Sequence, residues 1–390
     1  MEQRLQPGQD LPGHPRCRRR QCQGFRAGQA HRPVALSTAF APSASALAVV
    51  IPTLNEAVAL PALLADLHAQ HGIALELVVA DGGSTDGTAT LAIAGGARLV
   101  SAPRGRGGQM NAGAAVTTAP WLLFLHADSR LPDPELLARA LAVLRAAEAE
   151  HGPRVAGHFP LRFARSRSGH SLAWRYLEEK TAFNRPWTIN GDQGLLLARA
   201  FFAELGGFDA SLPFLEDQRI AARIREAGRW ITLPGHLVTS ARRFETEGLH
   251  RRYQLMAIIM GLYAAGLDEF FRRAPAVYRA QHEADGRLRL TPFFRLVAQV
   301  LQERPPAERR AIWRRVGRLV RENAWQPFYF LDVLARPWLG AGRYPCLGFY
   351  DRRLARWLDN RVGDAIAAAA ARFTVMGLLR AYYAVAERRP

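Results

Sequence analysis

The stretch Trp121-Leu-Leu-Phe-Leu-His-Ala-Asp-Ser-Arg-Leu-Pro132 decides the fold of this chain. Its first five residues, Trp121 to Leu125, are apolar, which is typical of a strand buried on both faces in a parallel sheet flanked by helices. Because the run stops at His126-Ala127-Asp128, we expect the Asp128 carboxylate at the strand's carboxyl end, where open α/β sheets bind ligands. A carboxylate there can hold Mg²⁺ against a diphosphate. An aspartate that merely begins the next segment is the competing interpretation.

Strands and helices alternate on both sides of this stretch. The alternation predicts a parallel sheet joined by right-handed crossovers. Before the stretch, strands are predicted at 46–52, 75–80 and 97–100, with a helix around Leu60 to Leu67 and another that begins near Gly108. After it, we predict a helix ending at Glu148, a half-buried strand over 155–163, a strand after Ile189, a helix from about Glu216 and an apolar helix over 249–267.

The composition divides the chain into three parts. Residues 1–45 are rich in Arg, Gln, Gly and Pro and are predicted to be a disordered basic tail. Residues 46–270 carry the alternating pattern and are predicted to form one α/β domain. Residues 271–390 are predicted to be a helical C-terminal region, and nothing in their sequence indicates a chemical role.

The formal net charge is +18 and rests almost entirely on arginine, since Lys180 is the only lysine. A positive surface attracts anionic partners such as nucleotides or acidic lipids. Three cysteines, Cys17, Cys22 and Cys346, form no disulfide framework, which fits a reducing cytoplasm. Because no run of about 18 uninterrupted apolar residues occurs, a membrane-spanning helix is not expected.

Several short motifs occur in one order at the predicted strand ends and helix starts. They are Pro52-Thr-Leu-Asn-Glu56, Asp81-Gly-Gly-Ser-Thr-Asp-Gly87, Arg104-Gly-Arg-Gly-Gly-Gln-Met-Asn111, His126-Ala-Asp128 and Glu216-Asp217. Together they resemble family 2 glycosyltransferases of the GT-A fold, and the Gly-Gly-Gln-Met-Asn-Ala-Gly and Phe-Leu-His-Ala-Asp versions are most similar to the radical-SAM/selenodomain-associated subgroup. The resemblance covers residues 46–270. It implies an α/β fold of GT-A (Rossmann-like) type with a mostly parallel central sheet flanked by helices, followed here by a helical C-terminal extension.

The resemblance also implies an activity, which is transfer of a single sugar, with inversion, from a nucleotide-diphosphate-sugar donor to an unknown hydroxyl acceptor. It places donor binding at the strand ends, at Pro52, Thr53, Asn55, Glu56, Asp81, Gly82, Arg104, Gly108, Asn111, His126, Ala127 and Asp128. Asp128 is the expected ligand of Mg²⁺ or Mn²⁺, because His126 stands where the family's D-x-D motif has its first aspartate. His126 is either a second metal ligand, which would favour Mn²⁺, or a hydrogen-bonding neighbour.

Asp217 matches the family's general base, which takes the proton of the acceptor hydroxyl. Adjacent helical residues point about 100° apart, so Glu216 is expected to support Asp217 rather than share its role. The resemblance places the sugar and acceptor pocket at Asn190, Gly191, Asp192, Gln193 and Arg242, with Arg243 also able to reach phosphate. Purely structural roles remain open for three of these features. Asp81 could cap a helix, the Arg104 loop could be a turn, and Glu216-Asp217 could complement a helix dipole.

Two other functions share the same pattern. One is a basic nucleotide- or lipid-binding protein that has lost catalysis, and the other is a sugar-nucleotide nucleotidyltransferase. The second is disfavoured because Pro-Thr-Leu-Asn-Glu follows the first strand where those enzymes carry a Gly-rich loop. The apolar helix over 249–267 suggests a hydrophobic acceptor or bilayer contact, with core packing as the alternative. The expected partners are the donor and an unknown acceptor, with a lipid-linked acceptor among the candidates and no nucleic acid. The expected location is the cytoplasm, with peripheral contact to the inner face of the cell membrane as an extension.

Overall fold

The central stretch forms a fully buried strand in a computed structural model, which describes residues 46–166, 171–212, 214–284 and 288–388. The predicted tail at 1–45 lies outside the described residues. The strands are β1 Leu47–Thr53, β2 Leu75–Asp81, β3 Arg98–Ser101, β4 Trp121–Phe124, β5 Val155–His158, β6 Leu161–Ala164, β7 Leu195–Ala198, β8 Arg229–Thr232 and β9 Leu237–Ser240.

Seven strands form the main sheet in the order β3-β2-β1-β4-β7-β5-β8, and β6 pairs with β9 in a second, two-stranded sheet. All main-sheet pairs are parallel except the two made by β7, which runs antiparallel to β4 and β5. The predicted mostly parallel sheet is therefore confirmed. From β1 the chain moves outward through β2 to β3 and then returns to β4 on the other side of β1. The resulting crevice at the carboxyl ends of β1 and β4 is a topological switch point, where open sheets bind ligands.

Helices cover both faces of the sheet. They are α1 Leu60–His68, α2 Thr88–Ala94, α3 Arg106–Ala115, α4 Leu136–His151, α5 Ser171–Lys180, α6 Arg199–Glu204, α7 Glu216–Ala227, α8 Arg242–Glu247 and α9 Leu249–Ala264. Side chains alternate along a strand, so β1 serves two cores. Leu47, Val49 and Ile51 pack with α1 and α4, whereas Ala48 and Val50 pack with α3 and α7.

The predicted strand over 155–163 is wrong in one respect, because the structure divides it between two sheets. β5 belongs to the main sheet with all four residues buried, and β6 belongs to the two-stranded sheet. The break falls at Phe159-Pro160. Proline has no N–H to give to a ladder, so it marks a place where pairing can change partners.

The region after residue 270 is helical, as predicted. Its helices are α10 Asp268–Ala284, α11 Thr291–Gln302, α12 Pro306–Glu322, α13 Gln326–Leu334, α14 Arg336–Leu339, α15 Pro345–Phe349, α16 Ala355–Leu358, α17 Arg361–Arg372 and α18 Arg380–Ala386, with π-helical segments at Tyr350–Leu354 and Phe373–Leu379. The apolar helix α9 packs with α10, α11 and α12 in one hydrophobic cluster, to which it contributes Leu255, Ile258 and Leu262. This observation favours core packing for α9. The boundary predicted at residue 270 stays a prediction.

One helix bears on the expectation that the chain has no membrane-spanning helix, and that expectation stays a prediction. Among the described residues, the continuous helix Arg361–Ala386 is long and apolar enough to cross a bilayer, with a mean hydropathy of 1.5 over its most apolar 18-residue window. Arg372 interrupts the apolar residues of this helix, so the run of uninterrupted apolar residues stays short although the mean hydropathy is high.

Candidate functional site

The loops that follow β1 and β2 are hydrogen-bonded to each other at the switch point. Asn55 adopts a left-handed backbone with φ 57°. Its backbone N–H donates to Ser84 Oγ at 2.8 Å, and its Oδ1 accepts from the Thr85 N–H at 2.9 Å. The Glu56 N–H likewise donates to Thr88 Oγ1 at 2.9 Å. The two motifs recognised in the sequence therefore form one rigid wall of the crevice.

Asp81 holds the second loop in place. Its carboxylate accepts four hydrogen bonds, from the backbone of Gly83 and Ser84 and from the hydroxyls of Ser84 and Thr53, at 2.5 to 3.0 Å. Although burial opposes the effect, these bonds lower the pKa of Asp81 below its ordinary value. Because a carboxylate has about four acceptor positions, the protein itself occupies those of Asp81. Contact of Asp81 with a nucleoside stays a prediction.

The glycine-rich loop ends in α3, which begins at Arg106, two residues earlier than predicted. Gln109, which sequence reasoning missed, is buried and ties this helix to the sheet. Its Nε2 donates to the carbonyls of Thr53 at 2.7 Å and Ala80 at 2.8 Å, at the carboxyl ends of β1 and β2. A Cβ added to Gly82 would lie 3.0 Å from Nε2 of Gln109, so a larger residue there would require the amide to shift. The signal in the sequence was a polar residue on the buried side of a helix.

Asn111 and Gly108 were predicted to contact the donor, and the structure gives Asn111 a clear structural contact. The Asn111 amide donates to the Phe208 carbonyl at 2.8 Å and accepts from the Phe208 N–H at 2.9 Å. It thereby holds the 206–209 loop beside α3. Gly108 is half-buried, with Ala210 as its nearest neighbour. Neither contact tests donor binding.

His126 and Asp192 form an ion pair in the crevice, with Nδ1 3.0 Å from Oδ1. Burial disfavours both charges, but the hydrogen bond and mutual attraction are stronger. They raise the pKa of His126 above its ordinary value and lower the pKa of Asp192 to about 2. Asp192 lies in a short 3₁₀ turn, Gly191–Gln193, whose backbone is closed by a reciprocal cap between Asn190 and Gln193. The sequence did not predict that His126 and Asp192 would be partners.

Asp217 lies on the other side of the same turn. The Gly191 N–H donates to Asp217 Oδ2 at 2.8 Å, and the Gln218 N–H donates to Oδ1 at 2.8 Å. A Cβ added to Gly191 would lie 3.0 Å from His126 Nε2 and 3.4 Å from Asp217 Cβ. Gly191 therefore separates His126 from Asp217 by the width of one backbone segment.

Arg106 pairs with Glu216 and is also affected by the charges of three further acidic side chains. Its Nε lies 3.0 Å from Oε1 of Glu216, whose side chain is only 2% exposed, whereas the Arg106 side chain is 47% exposed. Burial raises the pKa of Glu216, and Arg106 opposes that rise. Asp217, Asp192 and Asp128 also act on the Arg106 charge and, with Glu216, raise its pKa despite burial. Both Arg104 and Arg106 are exposed, and Arg106 is the one paired with Glu216, whereas contact of Arg104 with the donor stays a prediction.

Asp128 is exposed at the mouth of the crevice, after the buried Ala127. Burial and the charge of Asp128 raise the pKa of Glu56, while the charges of Arg243 and Arg242 oppose that rise. Within the described residues no group of three or more His, Cys, Asp or Glu side chains is arranged as a metal site. Asp128 is therefore a single carboxylate whose surroundings contain both an acidic residue, Glu56, and two arginines, Arg242 and Arg243.

Three predicted residues lie in the frame of the site rather than at its surface. Pro52 and Thr53 are buried at the end of β1. Gln193 is fully buried, and its Nε2 donates to the Thr181 carbonyl at 2.7 Å and to His158 Nδ1 at 2.9 Å. The structure thus brings the predicted residues to one edge of the sheet and divides them into buried supports and accessible groups.

Comparison with known proteins shows which family the segment that forms this edge is similar to. Residues 48–202 match the model of glycosyl transferase family 2. Over 118 residues the chain is 39% identical to a PGL/p-HBAD biosynthesis glycosyltransferase of Mycobacterium tuberculosis, a match that covers 28% of this chain and 44% of the relative. The chain thus spans about half the length of the curated relatives it matches.

Two solved structures are similar at a lower level. One is Staphylococcus aureus TarS 1–349, with 15% identity, a TM-score of 0.42 and coverage of 78% of this chain and 91% of that chain. The other is the mannosyltransferase PcManGT of Pyrobaculum calidifontis in complex with GDP-Man and Mn²⁺, with 20% identity, a TM-score of 0.42 and coverage of 84% and 86%. The narrower radical-SAM/selenodomain-associated subgroup stays a prediction. The segment of residues 48–202 is therefore similar to glycosyl transferase family 2 domains.

Proposed function

We propose that this chain is an inverting glycosyltransferase that moves one sugar from a nucleotide-diphosphate-sugar donor to a hydroxyl acceptor. One observation carries the proposal: the His126-Ala127-Asp128 segment and Asp217, which are far apart in the sequence, meet at Gly191, which lies beside His126 and donates to Asp217 Oδ2 at 2.8 Å. The segment similar to the family, residues 48–202, contains Asp128, and α7 supplies Asp217 from outside it.

The donor diphosphate would lie between the start of α3 and Asp128. The first turn of α3 carries no acidic residue, and its N-cap Gly105 has φ 142°, a backbone conformation that side chains rarely adopt. The free N–H groups of a helix N-terminus and its dipole favour an anion. Arg106 adds a half-exposed guanidinium at the same point. A diphosphate would thus meet positive charge from both the backbone and a side chain.

Asp128 is the group that would hold a divalent cation. Mg²⁺ and Mn²⁺ accept oxygen ligands and commonly take several of them from phosphate and water. An exposed single carboxylate fits such a site, because the donor itself would complete the ligand set. When bound, the cation neutralises charge on the leaving diphosphate. His126 Nδ1 is engaged by Asp192, so we assign His126 to orienting Asp192 and the 191–193 turn.

Asp217 would act as the general base. Its carboxylate is fixed by the Gly191 and Gln218 N–H groups and keeps further lone pairs for an acceptor hydroxyl. As the acceptor oxygen attacks the anomeric carbon opposite the diphosphate, its proton passes to Asp217 and the bond to the diphosphate breaks. Glu216 is buried and paired with Arg106, so it positions that guanidinium instead of meeting the acceptor.

The pocket beside Asp217 is lined by Phe124, Ile189, Phe208 and Trp230, which form an apolar floor beneath the polar groups. The proposed acceptor is an unknown hydroxyl compound, with a lipid-linked one as a candidate, and the proposed location is the cytoplasm.

The test compares the Asp217→Asn variant with the wild-type chain. Donor consumption is measured across a panel of UDP- and GDP-sugars with Mn²⁺ or Mg²⁺, and binding of UDP and GDP is measured by calorimetry. Loss of a general base is expected to slow turnover by about 10²- to 10⁴-fold while leaving nucleotide affinity nearly unchanged. The matched control is Asp268→Asn, an exposed aspartate in the first turn of α10.

The outcomes separate the parts of the proposal. Unchanged turnover in Asp217→Asn would refute the base assignment. A wild-type chain that binds no nucleoside diphosphate with either cation would refute the donor assignment. An equal loss in Asp217→Asn and Asp268→Asn would indicate a general structural effect and count against a specific role for Asp217.

A further inference from the structure

The last long helix, Arg361–Ala386, combines a packed face with an exposed apolar face. It consists of α17, the π-helical segment and α18 without interruption. Only 6% of its most apolar 18-residue window is buried, although that window has a mean hydropathy of 1.5. Large exposed apolar surfaces on a folded chain mark sites that another apolar phase covers.

The packed face fixes the helix along the body of the protein. Ala368 and Ala371 are buried, and Gly317 of α12 faces Ala368 so closely that a Cβ on Gly317 would overlap it. Tyr383 is 4% exposed and its ring stacks near Phe294 of α11 at 6.1 Å. The helix therefore lies against α12 and α11 for its whole length.

The opposite face is apolar and exposed. We call it the C-terminal apolar face and define it by six side chains that are 55–67% exposed: Val362, Ile366, Phe373, Leu378, Tyr382 and Val385. Along α17 and into the first residue of the π-helical segment, positions 362, 366, 369 and 373 fall within one narrow sector of the helix, opposite Ala368 and Ala371. This stripe continues past the π-helical segment to Val385.

Positive charge borders this face. Arg361, Arg372 and Arg380 are exposed and make no ion pair within the described part of the chain. The nearby carboxylates are already engaged, since Asp359 and Asp364 pair with Arg321 and Glu387 accepts from the N–H groups of Leu290 and Thr291. The net charge beside the C-terminal apolar face is therefore positive.

An aromatic anchor precedes the helix. Trp357 of α16 is 73% exposed, and Arg356 next to it is also exposed. Tryptophan favours the membrane–water interface because its ring is apolar and its N–H is polar. Apolar side chains with flanking arginine and tryptophan are the composition of helices that lie in the plane of a bilayer surface.

We propose that the C-terminal apolar face rests on the surface of an anionic phospholipid bilayer, with the helix parallel to the membrane and its arginines among the lipid phosphates. A second copy of the chain fits less well, because pairing two such faces would bring their unpaired arginines together. A spanning arrangement fits less well too. It would remove Ala368, Ala371 and Tyr383 from their packing and place Arg372 in hydrocarbon, which is costly. The proposal concerns where the protein works and does not depend on the proposed chemistry.

The test is cosedimentation of the full chain with vesicles of phosphatidylglycerol and phosphatidylcholine, compared with vesicles of phosphatidylcholine alone. We expect strong binding to the anionic vesicles that weakens as salt is raised. The double variant Ile366→Ser/Phe373→Ser should lower the partition coefficient by roughly tenfold or more, because two exposed apolar groups no longer enter the interface. The matched control is Val58→Ser/Ile93→Ser, at positions 94% and 62% exposed elsewhere in the chain.

Each outcome of the vesicle test either supports or overturns the proposed membrane contact. Binding that both double variants retain would place the contact elsewhere, including the Arg-rich residues 1–45 that all variants keep, and would overturn the proposal. Absence of wild-type binding to anionic vesicles would also overturn it. A variant Arg372→Ser/Arg380→Ser that binds anionic vesicles more weakly than the wild-type chain, with unchanged binding to phosphatidylcholine vesicles, would support it. Size-exclusion chromatography of the wild-type chain tests the alternative, since a dimer that Ile366→Ser/Phe373→Ser dissociates would assign the face to a second copy.

Discussion

Protonation of His158 is expected to destabilise the fold in mild acid, and the structure shows why. His158 is fully buried at the end of β5. Its Nδ1 faces the amide of Gln193 at 2.9 Å, and its Nε2 faces Oδ1 of Asn184 at 2.5 Å. This arrangement fits the neutral ring with the proton on Nε2. A second proton on Nδ1 would meet the N–H of Gln193 and would place a charge in the core.

The size of the effect follows from the shift in pKa. Burial lowers the pKa of His158 from 6.5 to about 4. The unfolded chain therefore binds a proton below about pH 6.5 that the folded chain refuses until about pH 4, so stability falls as the pH falls through this window. Between pH 7.5 and pH 5 the linkage amounts to about 2 kcal/mol, and below pH 4 it approaches about 3 kcal/mol. Because Gln193 caps the 191–193 turn, the same protonation would loosen the turn that carries Asp192.

Urea unfolding at pH 7.5, 6 and 5 measures this effect when the wild-type chain is compared with His158→Gln. The variant removes the titrating ring, so the stability gap between wild type and variant should shrink by about 2 kcal/mol from pH 7.5 to pH 5. His71→Gln, at an exposed histidine, is the control for replacing a histidine elsewhere in the chain. Parallel pH curves for wild type and His158→Gln would refute the reasoning.

Three further outcomes follow from the site and its supports. Asp128→Asn should weaken UDP binding with Mn²⁺ by roughly tenfold or more while leaving metal-free binding unchanged, and calorimetry showing equal affinities would contradict the metal assignment. Arg106→Met leaves Glu216 buried without its partner and should lower the free energy of unfolding, measured in urea, by about 1–3 kcal/mol; the half-exposure of Arg106 keeps this figure small. Adding Glu216→Gln should recover part of the loss. Strictly additive effects of the two substitutions would argue against the ion pair. Gly113→Ala puts a Cβ against Val50 of β1 and should lower the free energy of unfolding by about 1–3 kcal/mol. Gly108→Ala in the same helix should leave the stability unchanged or raise it. Equal stabilities for the two variants would contradict the packing of Gly113 against β1.

The strands and the mostly parallel character of the sheet could be predicted from the sequence, because both follow from local patterns of apolar residues and alternating elements. Five apolar residues at Trp121 to Leu125 predicted a strand buried on both faces, and β4 has that burial. The polar residues that end the strands predicted which edge carries the site, since parallel strands share a carboxyl end. The antiparallel β7 and the division of 155–163 between two sheets could not be predicted, because strand pairing depends on contacts distant in the sequence.

The site was predicted at the level of regions more than at the level of contacts. Arg104 and Arg106 are two residues apart in one loop, and only the position of α3 decides which of them faces Glu216. Similarly, nothing near His126 in the sequence indicates Asp192, because the two meet only through the pairing of β4 with β7. Gln109 and Gln193 are polar residues in apolar surroundings, and their roles appear only when backbone carbonyls gather around them.

The adjacent acids Glu216 and Asp217 show how one helix start can supply both a support and a reactive group. α7 begins after Leu215, whose backbone is left-handed with φ 69°, and its first two side chains diverge. Glu216 points into the protein, where Arg106 compensates its buried charge. Asp217 points to the turn at Gly191, where two N–H groups fix it without neutralising it. Because the buried pair holds Arg106 in place, loss of Glu216 should displace the guanidinium and weaken diphosphate binding, whereas loss of Asp217 should slow transfer. When the two variants are measured side by side, Glu216→Gln should therefore lower nucleotide affinity more than turnover, and Asp217→Asn should lower turnover more than nucleotide affinity. The same balance of losses in both variants would contradict this division.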